Sequence, residues 1–337
     1  MFSVVIPLFD KRDYFQRALD SVYAQSLDPA AVPEIIVVND GSTDGGDAVA
    51  RAQADRRVRV IDQPNRGVSA ARNAGIAAAG QPFIAFLDAD DRWQPAFLSR
   101  MRDLIAKWPG GVLYGSGFTT VRDGRPEQTH GIRAADLEEP PADRGGPVAG
   151  RVDYFHAARR EIVTHPSCMV VPKSAAIGVG GFAEGVTHCE DYLFWTKLAL
   201  AGPVVLTAEP LAEYDVAVPG QAVEFWTRGY RERFDILEFH RFLAAELGRR
   251  TNGGDRAADR SFAAYARGEL RTALLQRLYW GNFAAADRLW RELALADLGL
   301  GPVAATAAWV SRHPAVHPPA GLALAAVRGL RAAARRR

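Results

Sequence analysis

The chain has 337 residues, 48% hydrophobic and 24% charged, so it is too apolar for disorder throughout and longer than one average domain. Its formal net charge of +2 argues against a dedicated nucleic-acid binder, which would be strongly basic. Lys11, Lys107, Lys173 and Lys197 are its only lysines; the positive charge is almost wholly arginine, a bias that base composition alone can explain.

Ser3–Leu8 is an apolar run closed by Pro7 and Asp10 and reads as a strand. From Asp13 to Ala24, Phe15, Leu19 and Val22 recur at helical spacing, with Asp13 as N-cap. Glu34–Val38 predicts a second strand, followed by a turn, Asn39 to Asp44, that opens a helix. Arg57–Ile61 predicts a third strand, Ser69–Ala79 a helix, and Phe83–Leu87 a fourth strand ended by Asp88-Ala89-Asp90-Asp91. Strands alternating with helices imply an α/β fold with a mainly parallel sheet flanked by helices. Further on, Val112–Thr120, Ser167–Val171 and Val204–Thr207 read as strands. Arg122–Gly150, rich in Pro, Gly and Asp, reads as a long loop with a hairpin, and Cys189–Leu200 as an amphipathic helix behind two acids. After Pro219 the pattern turns helical: Ala222–Leu247, then Asp259–Trp280 and Asn282–Ala296 as a hairpin about Gly281, and an Ala/Leu segment ending in Arg328, Arg331, Arg335, Arg336 and Arg337.

Cys168 and Cys189 offer neither a disulfide framework nor metal-ligand spacing, which suits a reducing cytoplasm. The first residues lack the basic segment of a secretory signal and reach Asp10 early. Leu298–Val310 is charge-free but too short to span a bilayer.

Ligands of an open parallel sheet bind outside the carboxyl ends of its strands. Four features of this sequence fall there: Pro7 to Asp10; Asp40, which can accept from a base N–H and a ribose hydroxyl or simply serve the turn; Arg72, one helical turn beyond Ser69, fit for a bidentate grip on a diphosphate or for a surface ion pair; and Asp88-Ala89-Asp90-Asp91, whose mutual repulsion makes sense beside a divalent cation. Asp91, ahead of Trp93-Gln94-Pro95, also suits the start of a helix.

These motifs, in order and at these spacings, resemble the family 2 glycosyltransferases with a GT-A fold. The resemblance is dense over residues 1–100, loose over 101–215 and absent beyond. It implies a GT-A catalytic domain over 1–218, with 1–100 as the nucleotide-sugar-binding half and 101–218 as the acceptor half, and a helical region with a basic tail over 219–337. It implies a nucleotide-sugar donor, usually a UDP-sugar, a Mg²⁺ or Mn²⁺ ion, and a carbohydrate or lipid-linked acceptor. Carried over, Asp40 contacts the uracil or ribose, Pro7 and Phe9 line the base pocket, and Arg72 faces the diphosphate. Asp88 lies near the ribose and metal, Ala89 belongs to the nucleotide-sugar-binding residues, and Asp90 with Asp88 holds the metal. Asp10 departs from the asparagine often found at its position.

An inverting transfer also needs a carboxylate on the acceptor side. His188-Cys189-Glu190-Asp191 resembles the family's Glu-Asp pair, with Asp191 as base and Glu190 its neighbour; the plainer alternative is an acidic helix start. His165 is either an acceptor-pocket residue or a structural histidine beside Pro166. No phosphate-binding P-loop and no dinucleotide glycine motif is present. Gln276 to Trp280 approaches the Gln-x-x-Arg-Trp of processive relatives but lacks the arginine, so a single transfer per encounter is expected. A sugar nucleotidyltransferase, lacking its glycine-rich loop, and an inactive nucleotide-sugar binder remain as alternatives. The expected location is cytoplasmic, with the terminal arginines a possible grip on an anionic membrane face. Sugar, acceptor and oligomeric state are not encoded in any motif.

Overall fold

The computed structural model describes residues 1–27, 33–139, 146–186, 188–218, 238–251, 257–279 and 282–312. The terminal arginines, Gly281 and the first part of the Ala222–Leu247 helix lie outside these residues. The chain divides into two compact units, Met1–Gln221 and Ala222–Arg337.

The first unit is built on one sheet. Its elements are β1 (Phe2–Leu8), α1 (Arg12–Tyr23), β2 (Glu34–Asn39), α2 (Gly46–Arg51), β3 (Val58–Asp62), α3 (Val68–Ala78), β4 (Phe83–Phe86), β5 (Arg92–Trp93), α4 (Phe97–Lys107), β6 (Leu113–Arg122), β7 (Arg125–His130), β8 (Ala149–Val152), α5 (Tyr154–Ala158), β9 (Met169–Pro172), α6 (Lys173–Gly178), α7 (Glu190–Ala201) and β10 (Val204–Asp215). The strand order is β3-β2-β1-β4-β9-β6-β10-β5, with β7 on β6 and β8 on β10. The strands β3, β2, β1 and β4 run parallel, as do β6 and β10. Between these blocks β9 runs antiparallel to both β4 and β6.

The continuous apolar runs explain the centre of the sheet: every residue of β1 and all but the first of β2 are buried, as strands covered on both faces require. The helix α3 packs over β1 and β2. Gly75 makes that approach close, because a Cβ there would lie 2.2 Å from Val5 Cγ1. Parallel pairing of Leu8 with Asn39, and of Val5 with Phe86, sends the chain after β1, β2 and β4 out at one sheet edge. The reversed β9 brings the residues that precede it, His165–Cys168, to the same edge, where Ser167 Oγ accepts the Asp88 N–H at 3.1 Å.

Several elements differ from the sequence expectation. No helix starts at Asp91: Arg92 and Trp93 pair with β10, and the helix begins only at Phe97. The strand expected over Val204–Thr207 continues to Asp215, because a bulge opposite Gly117 absorbs Pro210. At Gly117 a Cβ would lie 2.7 Å from the His130 carbonyl oxygen. The expected hairpin joins β6 to β7 through Asp123 and Gly124, both at positive φ, as a tight two-residue turn demands. The helix α7 is enclosed rather than amphipathic, since Leu193, Phe194, Trp195 and Thr196 are all buried.

The second unit contains helices Glu238–Thr251, Ala257–Tyr279, Phe283–Glu292 and Pro302–Arg312. The longest packs against the other three, with Leu243, Phe262, Leu270, Leu274 and Leu289 buried. Asn282 caps the third helix by accepting the Ala285 N–H at 3.1 Å. Gln276 lies within the longest helix, and among the described residues no helix is long and apolar enough to cross a membrane.

Candidate functional site

Asp40 follows β2 directly and is buried. Its N–H donates to the Leu8 carbonyl at 2.8 Å. Its Oδ1 accepts from Gln63 Nε2 at 2.7 Å and from the Arg66 N–H at 2.9 Å, and its Oδ2 accepts the Gly67 N–H at 2.9 Å. The carboxylate thus ties the end of β2 to the loop that opens α3. Beside it Pro7 is buried within β1, while Phe9 is 44% exposed. Asp10, at φ +48°, accepts the Thr43 N–H at 2.7 Å and clasps the turn after Asp40. Asp44 accepts from the Arg12 N–H at 2.7 Å and the Gly46 N–H at 2.8 Å, joining the starts of α1 and α2.

The acidic run after β4 spreads over three environments. Asp88 takes Arg72 Nη2 at 2.8 and 3.1 Å. Burial alone would raise its carboxyl, but Arg72 and Lys11 outweigh this and hold it below the ordinary value. Ala89 is buried. Asp90 pairs with Lys11 Nζ at 3.0 Å, and its carbonyl accepts from Arg17 Nη2 at 2.7 Å. Asp91 is 1% exposed, accepts from Ser167 Oγ, and receives the Asp215 N–H at 3.4 Å. Burial, then Asp90 and Asp88, push its carboxyl well above the ordinary range.

His165 closes this group. Its Nδ1 lies 3.6 Å from Asp91 Oδ2, and its ring stacks on Tyr214 at 4.3 Å between centroids. Burial lowers its pKa to about 4, so the ring is neutral at neutral pH. Ligand atoms of Asp88, Asp91 and His165 all lie within 4.8 Å of one another. Two carboxylates and a neutral imidazole, with one carboxyl destabilised as an anion by its acidic neighbours, form a donor set suited to a divalent cation. The sequence paired Asp88 with Asp90 as metal ligands; in the fold Asp91 and His165 gather around Asp88, and Asp90 meets Lys11. The signal for Asp91 was its place in the run, but its partners come from residues 165–167, which only the antiparallel β9 brings near.

At the start of α7, Glu190 Oε1 lies 3.3 Å from Arg72 Nη1. Asp191 Oδ1 accepts the N–H of Tyr192 at 2.8 Å. Burial and then the Glu190 charge raise the Asp191 carboxyl to about 7, partly countered by Arg72. Such a group exchanges a proton readily at neutral pH. Burial works against the Arg72 charge, but Asp88 and Glu190 more than restore it, so its pKa lies above the ordinary value. One sheet edge therefore carries Asp88, Asp91, His165, Arg72, Glu190 and Asp191, with Asp40 and Phe9 on the flank nearer β2.

The glycosyltransferase EpsJ of Bacillus subtilis (strain 168), described as uncharacterized, is 37% identical over 105 residues, 31% of this chain and 30% of the relative. An uncharacterized glycosyltransferase of Rickettsia felis is 25% identical over 215 residues, 60% of this chain and 32% of the relative. These matches thus span less than a third of the relatives' own length. Among solved structures, S. aureus TarS 1–349 in complex with UDP-GlcNAc superposes with a TM-score of 0.61 at 17% identity, covering 92% of this chain and 91% of that one. The mannosyltransferase PcManGT from Pyrobaculum calidifontis, in complex with GDP-Man and Mn²⁺, gives 0.53 at 18%, covering 96% and 86%. These likenesses show the fold, the GT-A architecture. The family model described as Glycosyl transferase family 2 matches residues 3–165, the segment that holds the acidic run and His165.

Proposed function

We propose that the chain is an inverting glycosyltransferase that moves a sugar from a nucleotide-sugar donor, a UDP-sugar first among them, to an acceptor hydroxyl. The observation that carries this reading is the meeting, at one sheet edge, of a cation-competent group with a second carboxyl, Asp191, held near neutral pKa. The solved neighbours in complex with UDP-GlcNAc and with GDP-Man support a nucleotide-sugar donor.

Exposed Phe9 offers an apolar face to the base, next to Pro7 at the end of β1. Asp40 keeps its turn in shape and directs its remaining lone pairs to the base or ribose, and Ala89 leaves room for the ribose beside Asp88. Asp88, Asp91 and His165 are the residues that would hold Mg²⁺ or Mn²⁺, with Asp90 next to them under Lys11. When bound, the cation would neutralise charge on the departing diphosphate. Asp191 takes the proton of the acceptor hydroxyl as that oxygen attacks the oxocarbenium-like carbon from the face opposite the diphosphate.

A carbohydrate or lipid-linked acceptor fits a role in polysaccharide or glycoconjugate synthesis. Similarity to the minor teichoic acid biosynthesis protein GgaA of Bacillus subtilis, 31% over 110 residues, supports that setting. The terminal arginines would hold the chain at the inner membrane face; liposome sedimentation with and without residues 328–337 tests this, and equal binding refutes it.

The reading itself is tested by a thermal-shift screen of UDP-, GDP- and dTDP-sugars with Mn²⁺ or Mg²⁺, followed by donor turnover. A ligand that binds only the native state raises its melting temperature. Absence of any shift or turnover overturns the assignment. A UDP shift without turnover in the wild type would favour the inactive binder.

A further inference from the structure

A side chain that grips a diphosphate presents its guanidinium to solvent, yet Arg72 is only 3% exposed. Its two terminal nitrogens meet protein carboxylates on different elements: Nη2 meets Asp88, 16 residues away, and Nη1 meets Glu190, 118 residues away. The guanidinium lies 5.2 Å from the centroid of the Phe182 ring, which stacks on Phe194 of α7 at 4.0 Å. One buried cation thus joins α3, the end of β4 and the first turn of α7.

The N-cap of α7, Cys189, sits at φ +60° and supplies no side-chain cap, and the first two helical residues are adjacent acids whose charges oppose each other. Removing one partner of a buried ion pair leaves the other uncompensated, so the bridge couples its ends strongly.

We propose that Arg72 and Glu190 form a strut that positions Asp191, with Glu190 as the anchor of the base rather than a second base, and Arg72 as the cation that sets the base's electrostatic surroundings. This rests on the reading of Asp191 as the base. Both are positioning residues, since they act through Asp191. The groups that face Asp191 are Glu190 on its own helix, Arg72 from α3, Asp88 after β4 and Tyr214 from β10. Arg72 opposes protonation of Asp191, and Glu190 favours it. Loss of the two charges must therefore act in opposite directions, which loss of fold does not.

The test uses the full chain as wild type, Arg72→Met, Glu190→Gln and the double variant. Carbon NMR of carboxyl-labelled aspartate follows the Asp191 titration in metal-free buffer, the resonance being identified by its loss in Asp191→Asn. The midpoint is expected to rise in Arg72→Met and fall in Glu190→Gln, each by about half a unit or more. In turnover with a donor found by the screen, Glu190→Gln lowers kcat about tenfold or more with donor KM changed less than about threefold, and the double variant loses no more than the worse single one. Arg72→Lys recovers part of the Arg72→Met loss. An unmoved midpoint, shifts of the same sign, or kcat losses that multiply overturn the strut. If Arg72→Met does not fold, the downward shift in a Glu190→Gln chain that keeps the wild-type thermal unfolding transition decides alone, because an unfolded chain would also release the Asp191 proton at lower pH. If the wild type turns over no nucleotide-sugar, the functional reading fails while the titration still decides the strut.

Discussion

Asp191, the proposed base, influences stability as well. Its folded-state pKa, about 7, lies above the ordinary 3.8, so between those values the native chain holds a proton that the unfolded chain has released. Stability contributed there is complete at low pH and declines as pH rises from about 4 to about 7. Asp191→Asn removes that decline: its melting temperature should exceed the wild type's at pH 8 and match it at pH 4, while donor binding persists and transfer is lost. A variant that transfers at the wild-type rate would refute the base assignment. Asp40 makes the opposite case. Both its oxygens accept N–H bonds, so Asp40→Asn turns an amide donor toward backbone donors. A cost of about 1–3 kcal/mol is expected in urea denaturation, together with weaker donor binding.

At the scale of elements, the contact of α3 on β1 governs the position of Arg72. Gly75→Ala places a Cβ against Val5 and should cost about 1–3 kcal/mol. Val5→Ala in the same chain should restore part of that loss, measured by thermal or urea unfolding. Elements marked by their own apolar runs and helical spacing were legible: β1 to β4 and α3 lie within two residues of their expected bounds. Features made by distant pairing were not. Asp91 suited a helix start ahead of Trp93-Gln94-Pro95, yet β10, more than a hundred residues on, claims Trp93 as a strand. His165 was legible as an acceptor-pocket residue or a structural histidine beside Pro166, but its meeting with Asp91 depends on the direction of β9. The acids after β4 were legible as a group, but which of them meets Lys11 and which His165 was not, since sequence spacing carries no information about partners more than 70 residues away.

At the scale of the molecule, every residue named for donor, cation and base lies in the unit Met1–Gln221. A chain ending at Gln221 is therefore expected to fold and to bind UDP, in the presence of Mn²⁺, within about threefold of the full chain, a difference below 1 kcal/mol. Isothermal calorimetry on both chains checks this. A fragment that folds but has lost UDP would assign part of the nucleotide site to the helices beyond.

The four-residue β9 also governs what a growing chain can do during synthesis. It alone, among the described strands, hydrogen-bonds both β4 and β6, and so closes the seam between the two parallel blocks. Domains tend to fold as they leave the ribosome, N-terminal portions first. A nascent chain of about a hundred residues already carries β1 to β4 and the whole acidic run. It lacks both His165 and the strand that turns that run into a cluster, so Asp88, Asp91 and His165 can come together only after β9 has emerged and inserted.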